Sequence, residues 1–157
     1  MRDGDGDLST TTLTIYLGDS GLSTSPLDLD VFEAALPDGS DPDSADEAVA
    51  GDLNSIVAGG DGPFTFALIG DGTGNNGNFE LNADGTFTYT LAVAVTGPMA
   101  DNGPNVVDNV DSFSFTVTDA FGNVTTNVVT IDVVDDVPVA RADPAIVIAD
   151  GCAHDFG

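Results

Sequence analysis

The sequence of residues 3–19 returns at residues 119–135, at a constant offset of 116. Asp3/Asp119, Gly6/Gly122, Thr10/Thr126, Thr14/Thr130, Ile15/Ile131 and Asp19/Asp135 are identical, and Leu8/Val124, Ser9/Thr125, Leu13/Val129 and Leu17/Val133 keep their chemical type. A weaker echo sets residues 30–39 over 143–151 with one gap. Self-similarity at a fixed period marks an array, and a period of this length is one domain per repeat, too long for a solenoid unit. The expected organisation is the C-terminal strand of a preceding repeat at 1–19, one complete repeat at 20–136, and a linker with the start of a following repeat at 137–157.

Within the repeat the apolar residues alternate with period two. In Thr86-Phe87-Thr88-Tyr89-Thr90-Leu91 and Ser112-Phe113-Ser114-Phe115-Thr116-Val117 one side is aromatic or aliphatic and the other is Thr or Ser, the pattern of strands with one buried and one wet face. Strands are expected at 9–17, 27–33, 46–57, 63–69, 78–81, 86–95, 112–118 and 124–134. Asp84-Gly85 and Ala120-Phe121-Gly122-Asn123 are hairpin turns between them. Residues 70–77, written GDGTGNNG, form a polar loop, and residues 97–109 form a longer one with two prolines. No ten-residue stretch carries helical periodicity, although 33–36 and 43–49 each have room for a turn. About seven strands separated by turns favour an all-β fold, an Ig-like or cadherin-like Greek-key β-sandwich. A barrel is the lesser alternative.

Charge narrows the function classes. The chain has 24 Asp, 3 Glu, 2 Arg and no Lys, for a formal charge of −25. Nucleic acid and anionic membranes are poor partners, because both are gripped by Lys and Arg. No apolar stretch approaches the length of a membrane span. A compact state so charged repels itself unless cations neutralise it. Asp, unlike Glu, builds turns by bonding its own backbone, so part of the Asp set is turn chemistry. The rest reads as oxygen-ligand supply for a hard cation. The lone Cys152 excludes an internal disulfide framework. Met1-Arg2-Asp3 opens no signal peptide, and since the chain opens partway through a repeat it reads as a piece of something longer.

Asp3-x-Asp5-x-Asp7 begins like an EF-hand loop, but Leu8 stands where the turn glycine is needed and Thr14 where the bidentate Glu belongs. An EF-hand is rejected. What remains is carboxylates at strand ends: Asp119, and Asp135-Asp136 before Val137-Pro138. Here Thr130-Ile131-Asp132-Val133-Val134-Asp135-Asp136-Val137-Pro138 resembles the inter-module linker of cadherins. Together with Phe32-Glu33-Ala34-Ala35-Leu36-Pro37-Asp38-Gly39-Ser40, Asp84-Gly85-Thr86-Phe87-Thr88-Tyr89 and Asp111-Ser112-Phe113-Ser114-Phe115-Thr116-Val117-Thr118-Asp119, it resembles the cadherin-like tandem repeats of giant, RTX-type bacterial adhesins exported by type I secretion. The resemblance covers roughly residues 20–140. It implies extracellular sandwiches strung end to end and stiffened by calcium at their junctions, with Asp135, Asp136, Asp119 and Glu33 as ligands. Asp3, Asp7 and Asp19 in the N-terminal echo complete the candidate metal set. The first linker, Gly18-Asp19-Ser20-Gly21, lacks a second acid, and Ala145 stands where Glu33 aligns in the next repeat; unequal junctions are expected.

Catalysis has little support. His154 is the only histidine, with Cys152 and Asp155 beside it, but sites are assembled across a fold and not from sequence neighbours. With no Trp and two Tyr, aromatic platforms for sugars are scarce, and Phe64, Phe66, Phe79, Phe87, Tyr89, Phe113 and Phe115 sit at alternating strand positions, as core residues do. The expected function is a non-catalytic extender module of a secreted surface adhesin, supporting attachment or biofilm formation, whose partners are neighbouring repeats of the same chain. Any cell-surface or carbohydrate ligand would be met by other modules. The alternatives are a carbohydrate- or ligand-binding module working through loops 70–77 and 97–109, and an accessory domain of a secreted hydrolase.

Overall fold

The structure, a computed structural model, describes residues 12–13, 20–95 and 105–137. Among the described residues nine strands run in chain order: β1 Ser23–Thr24, β2 Leu27–Phe32, β3 Ala48–Asp52, β4 Val57–Ala58, β5 Thr65–Leu68, β6 Gly77–Leu81, β7 Thr86–Leu91, β8 Val106–Thr118 and β9 Val124–Val134. One sheet has the order β2-β9-β8-β5 and the other β3-β7-β6, with a two-stranded ribbon of β1 and β4 beside them. All neighbours are antiparallel except β2, which runs parallel to β9 from Leu27↔Val129 to Phe32↔Val134.

Alternation decides which faces meet. In β7, Phe87, Tyr89 and Leu91 are buried while the three threonines are exposed; in β8 and β9, Phe113, Phe115, Val117, Val129, Ile131 and Val133 point inward. The two sheets lock through aromatic rings, with Phe79 stacked on Phe113 across the core at 5.0 Å and on Phe87 within its own sheet at 5.4 Å. Such pairs add about 0.5–1.5 kcal/mol beyond the area they bury. The all-β sandwich expected from the sequence is therefore what forms, and the aromatic residues are its core, with Phe64 only partly covered.

Three stretches differ from expectation. Residues 46–57 are not one strand: the Asp52 carboxylate accepts the Asn54 backbone N–H at 2.8 Å and caps a 3₁₀ turn over Leu53–Ile56. That turn drives Leu53 fully into the core, and the chain resumes as β4 against β1. Strand β8 starts at Val106, earlier than the serine at 112, and absorbs an irregularity between Val107 and Asp111 in which Asn109 takes φ 54°. Asn tolerates that left-handed conformation better than most residues, and its N–H is held by Asp132 at 2.7 Å. Of the two expected turns, residues Glu33–Ala35 form a 3₁₀ turn; in 43–49 the chain makes isolated hydrogen-bonded turns, with the Ser44 N–H donating to the Asp41 carbonyl at 3.1 Å and the Ala48 N–H to the Ala45 carbonyl at 3.2 Å, and enters β3 at Ala48. The expected strand at 9–17 lies outside the described residues, apart from two of its positions.

One inward position is not apolar. Asp111 shares the phase of Phe113 and Phe115 and is 3% exposed. Its Oδ1 accepts the Asn75 N–H at 2.6 Å, and its Oδ2 accepts those of Asn76 at 3.1 Å and Gly77 at 3.0 Å and the Tyr89 hydroxyl at 2.8 Å. A buried carboxylate is tolerated when donors surround it, and here a loop of successive amides replaces a cation. The glycines make the approach feasible, since a Cβ on Gly74 would lie 2.4 Å from Asp111 Oδ2 and one on Gly77 2.4 Å from the Tyr89 hydroxyl. Burial, reinforced by the Asp111 carboxylate, pushes the Tyr89 hydroxyl pKa up, so Tyr89 remains a donor at all ordinary pH.

Two substitutions test this packing. Asp111→Ala strands three amides and a hydroxyl in the interior, each unsatisfied group costing about 1–3 kcal/mol; urea denaturation is expected to show a loss of at least about 3 kcal/mol, whereas Asp108→Asn on the exposed bulge stays within about 0.5 kcal/mol. Leu53→Ala is expected to cost about 2–5 kcal/mol in the same assay.

Candidate functional site

Strand β9 is 11 residues long and separates the two ends of the sandwich by about 35 Å at roughly 3.3 Å per residue. The candidate ligands are divided between these ends. At the end where the chain leaves β9 lie Glu33, Asp135 and Asp136; at the other lies Asp119, in the β8–β9 hairpin. The chain enters at the Asp119 end, where the Gly60 N–H donates to the Ser20 carbonyl at 2.9 Å and the Ala120 N–H to the Asp61 carbonyl at 2.8 Å. Asp3, Asp7 and Asp19 lie outside the described residues.

Asp119 is occupied by its own turn. Its Oδ1 accepts the N–H groups of Phe121 at 3.0 Å and Asn123 at 2.9 Å, and its Oδ2 accepts the Asn123 side-chain amide at 2.9 Å. These donors, the Asn123 amide foremost, hold the carboxyl below its ordinary pKa. Gly122 completes the turn at φ 88°. The hairpin expected at residues 120–123 is thus built around the residue also expected to bind metal. Asp84 is held low in the same way, mainly by the Thr86 hydroxyl and then by its N–H.

The exit end is different in kind. Strand β2 stops at Phe32, the 3₁₀ turn begins with Glu33, and the Glu33 side chain is covered to 6% exposure. It accepts the Val95 N–H and meets the Asp135 carboxyl. Burial raises the Glu33 pKa, and the Asp135 side chain raises it further against the pull of the Val95 and Asp136 backbone groups. Two carboxyls in contact cannot both be charged without penalty. Asp136 is turned aside: it accepts the Ser40 N–H at 2.8 Å and the Ser40 hydroxyl. Among the described residues no three acidic, histidine or cysteine side chains converge as a ready-made metal site. Glu33, Asp135 and Asp136 were legible in the sequence; Val95, which acts through its backbone N–H, and Ser40, which acts through its N–H and its hydroxyl, were not, because a backbone donor leaves no composition signal and a lone serine leaves almost none.

Beside this end the outer face of the larger sheet changes character. The row Asp28–Thr130–Ser112 and the pair Asp30–Asp132 are polar, while the last row, Phe32–Val134–Val106, is apolar. Phe32 and Val106 are 42% and 51% exposed, so a hydrophobic strip borders the linker. Phe121 and Val124 are likewise exposed at the entry end.

The other candidates contribute less. In loop 70–77 the N–H groups of Asn75, Asn76 and Gly77 are engaged by Asp111 and are not free to meet a ligand. Residues 97–104, and Cys152, His154 and Asp155, lie outside the described residues. Among the described residues no helix is long and apolar enough to cross a membrane.

No curated protein matches the chain. Residues 22–132 match the bacterial Ig domain family from β1 almost to the end of β9, a span that takes in both sheets and excludes the acidic linker. On that match and the two-sheet fold, the chain belongs to the bacterial Ig domain family.

Proposed function

We propose that this chain is a structural extender module of a secreted bacterial repeat adhesin, joined end to end with its neighbours and stiffened at the exit junction by calcium. The family supports the coarse part, since bacterial Ig domains are typically non-catalytic structural modules displayed outside the cell. The offset of 116 residues supports the tandem arrangement. The contact between buried Glu33 and half-buried Asp135 at the point of exit carries the rest.

The donor chemistry fits a hard cation. Ca2+ takes six to eight oxygen ligands, and the exit end offers carboxylate oxygens from Glu33 and Asp135, with Asp136 one residue away. A bound cation supplies the positive charge that the pair lacks, in place of the proton that otherwise relieves it. Two carboxyls do not fill such a shell, which supports a site completed from the far side of the junction. The apolar strip of Phe32, Val134 and Val106 gives a neighbouring module a surface to rest on. On the entry side the sequence echo pairs Asp19 with Asp135 and Asp3 with Asp119, so in this reading Asp19, with Asp3 and Asp7 as the further candidates, belongs to the preceding repeat's share of its junction, while Asp119 acts mainly through the turn it holds. Attachment to a surface or growth of a biofilm is the work of the fibre that such modules build.

Calcium is expected to raise the melting temperature above that in EDTA. Extracellular modules bind with dissociation constants of roughly 10⁻⁴–10⁻³ M, so a hundredfold excess adds about 2.7 kcal/mol for a filled site. Combining Glu33→Gln with Asp135→Asn is expected to abolish the response. An equal rise from sodium at matched ionic strength would reduce the effect to screening and sink the reading.

The Glu33 proton gives a second test. Because its folded pKa is raised, the folded state holds the proton more tightly, and the resulting stability is fully present below the ordinary carboxylate range and lost as pH rises through the raised value. In EDTA, Glu33→Gln keeps an acceptor for the Val95 N–H and gains an amide donor toward Asp135. It is expected to stabilise the protein near neutral pH by the worth of a hydrogen bond, about 1 kcal/mol, and to show a flatter pH profile in denaturant titrations. A variant less stable than wild type at every pH would contradict the strained-pair account.

A further inference from the structure

Loop 70–77 contains Asn76-Gly77, a dipeptide with its own chemistry. The Gly77 nitrogen can attack the Asn76 side-chain carbon: the N–C bond forms, the amide nitrogen leaves with the transferred proton as ammonia, and water then opens the succinimide to aspartate or isoaspartate. Glycine favours this reaction because no side chain obstructs the attacking nitrogen. We propose that Asn76 is a deamidation site that the Asp111 cradle holds shut in the folded protein.

Ring closure requires the peptide unit between Asn76 and Gly77 to rotate so that its nitrogen approaches the Asn76 side chain. Both ends of that unit are fastened. The Gly77 N–H donates to Asp111 Oδ2 at 3.0 Å, and the Asn76 carbonyl accepts the N–H groups of Ala92 at 2.8 Å and Val93 at 3.0 Å. The Asn76 side-chain amide is itself drawn to the Val93 carbonyl at 3.3 Å. The attacking nitrogen must also shed its proton, and an anion there would face the buried Asp111 carboxylate at hydrogen-bond distance, where like charges repel strongly. The Tyr89 hydroxyl on the same Oδ2 completes the clamp.

Opening is one-way. Either product puts a carboxylate where the Asn76 amide met the Val93 carbonyl, so that two acceptors face each other, and isoaspartate also inserts a main-chain methylene where the Asn76 carbonyl meets Ala92 and Val93. The cradle cannot re-form around it. The segment released, 92–93, leads directly to Val95, the donor to Glu33, so an event in this loop would be felt at the exit end.

Peptide-mapping mass spectrometry of wild type and Tyr89→Phe, incubated in mildly alkaline buffer, tests the proposal, with a short synthetic Asn-Gly peptide in the same tubes as a clock. Relative to that peptide, Asn76 in folded wild type is expected to deamidate at least about tenfold more slowly than in the urea-unfolded chain, since reaction waits on local opening. Tyr89→Phe keeps the ring but removes one hydrogen bond, and is expected to speed Asn76 about fivefold against the same peptide. If Tyr89→Phe does not fold, the folded-against-unfolded comparison in wild type decides. Equal relative rates in folded and unfolded wild type, or a folded Tyr89→Phe protein no faster than wild type, would overturn the proposal.

Discussion

Everything in this fold has to accommodate carboxylates without cations. With 24 Asp and 3 Glu against two Arg and no Lys, and neither Arg among the described residues, ion pairing is not available to the described acids, and they take hydrogen-bond donors. Asp111 takes three amides and a phenol in the core. Asp119 takes two amides and the Asn123 side chain, Asp132 takes the Asn109 N–H, and Asp28 takes the Thr130 hydroxyl. Hydrogen bonds to a charged acceptor are roughly twice as strong as neutral ones, so each such turn is also a fastening. Asp serves better than Glu because its short side chain reaches the backbone two residues on.

That rule is broken at the exit end, where buried Glu33 meets the half-buried Asp135 carboxyl. Elsewhere a lowered pKa marks a satisfied acid, as at Asp84 and Asp119; here the shift is upward. The contrast separates carboxylates held by surrounding donors from a pair in which carboxyl meets carboxyl. It also explains the division of the expected ligand set: Asp119 belongs to the first kind by its bonding, Glu33 and Asp135 to the second, and Asp136 is tethered to Ser40 beside them. Position follows from topology, because the parallel β2–β9 pair brings the head of the module and its linker to the same edge.

Much of the sandwich was legible because period-two alternation in β7, β8 and β9 reports directly on burial, and because Asp84-Gly85 and Gly122 mark turns that need their conformations. The β1–β4 ribbon was not, since two-residue strands carry no period. The break at Leu53 hid inside an acceptable strand pattern, and only the cap from Asp52 to Asn54 reveals it. Asp111 could have been found: it shares the phase of Phe113, Phe115 and Val117, so a strand read outward from them puts an acid in the core. The acids at the exit end were picked out through a resemblance to known linkers, whereas the contact between Glu33 and Asp135 joins positions far apart in the chain.

The most direct test of the central claim is a carboxyl-detected NMR titration of Glu33 and Asp135 in the presence of EDTA and then of calcium. The account predicts that without calcium Glu33 titrates above the ordinary glutamate range while Asp119 titrates below the aspartate range, and that calcium shifts the Glu33 and Asp135 signals together and abolishes the raised titration. A Glu33 signal with an ordinary pKa, or a pair unmoved by calcium at millimolar levels, would contradict it.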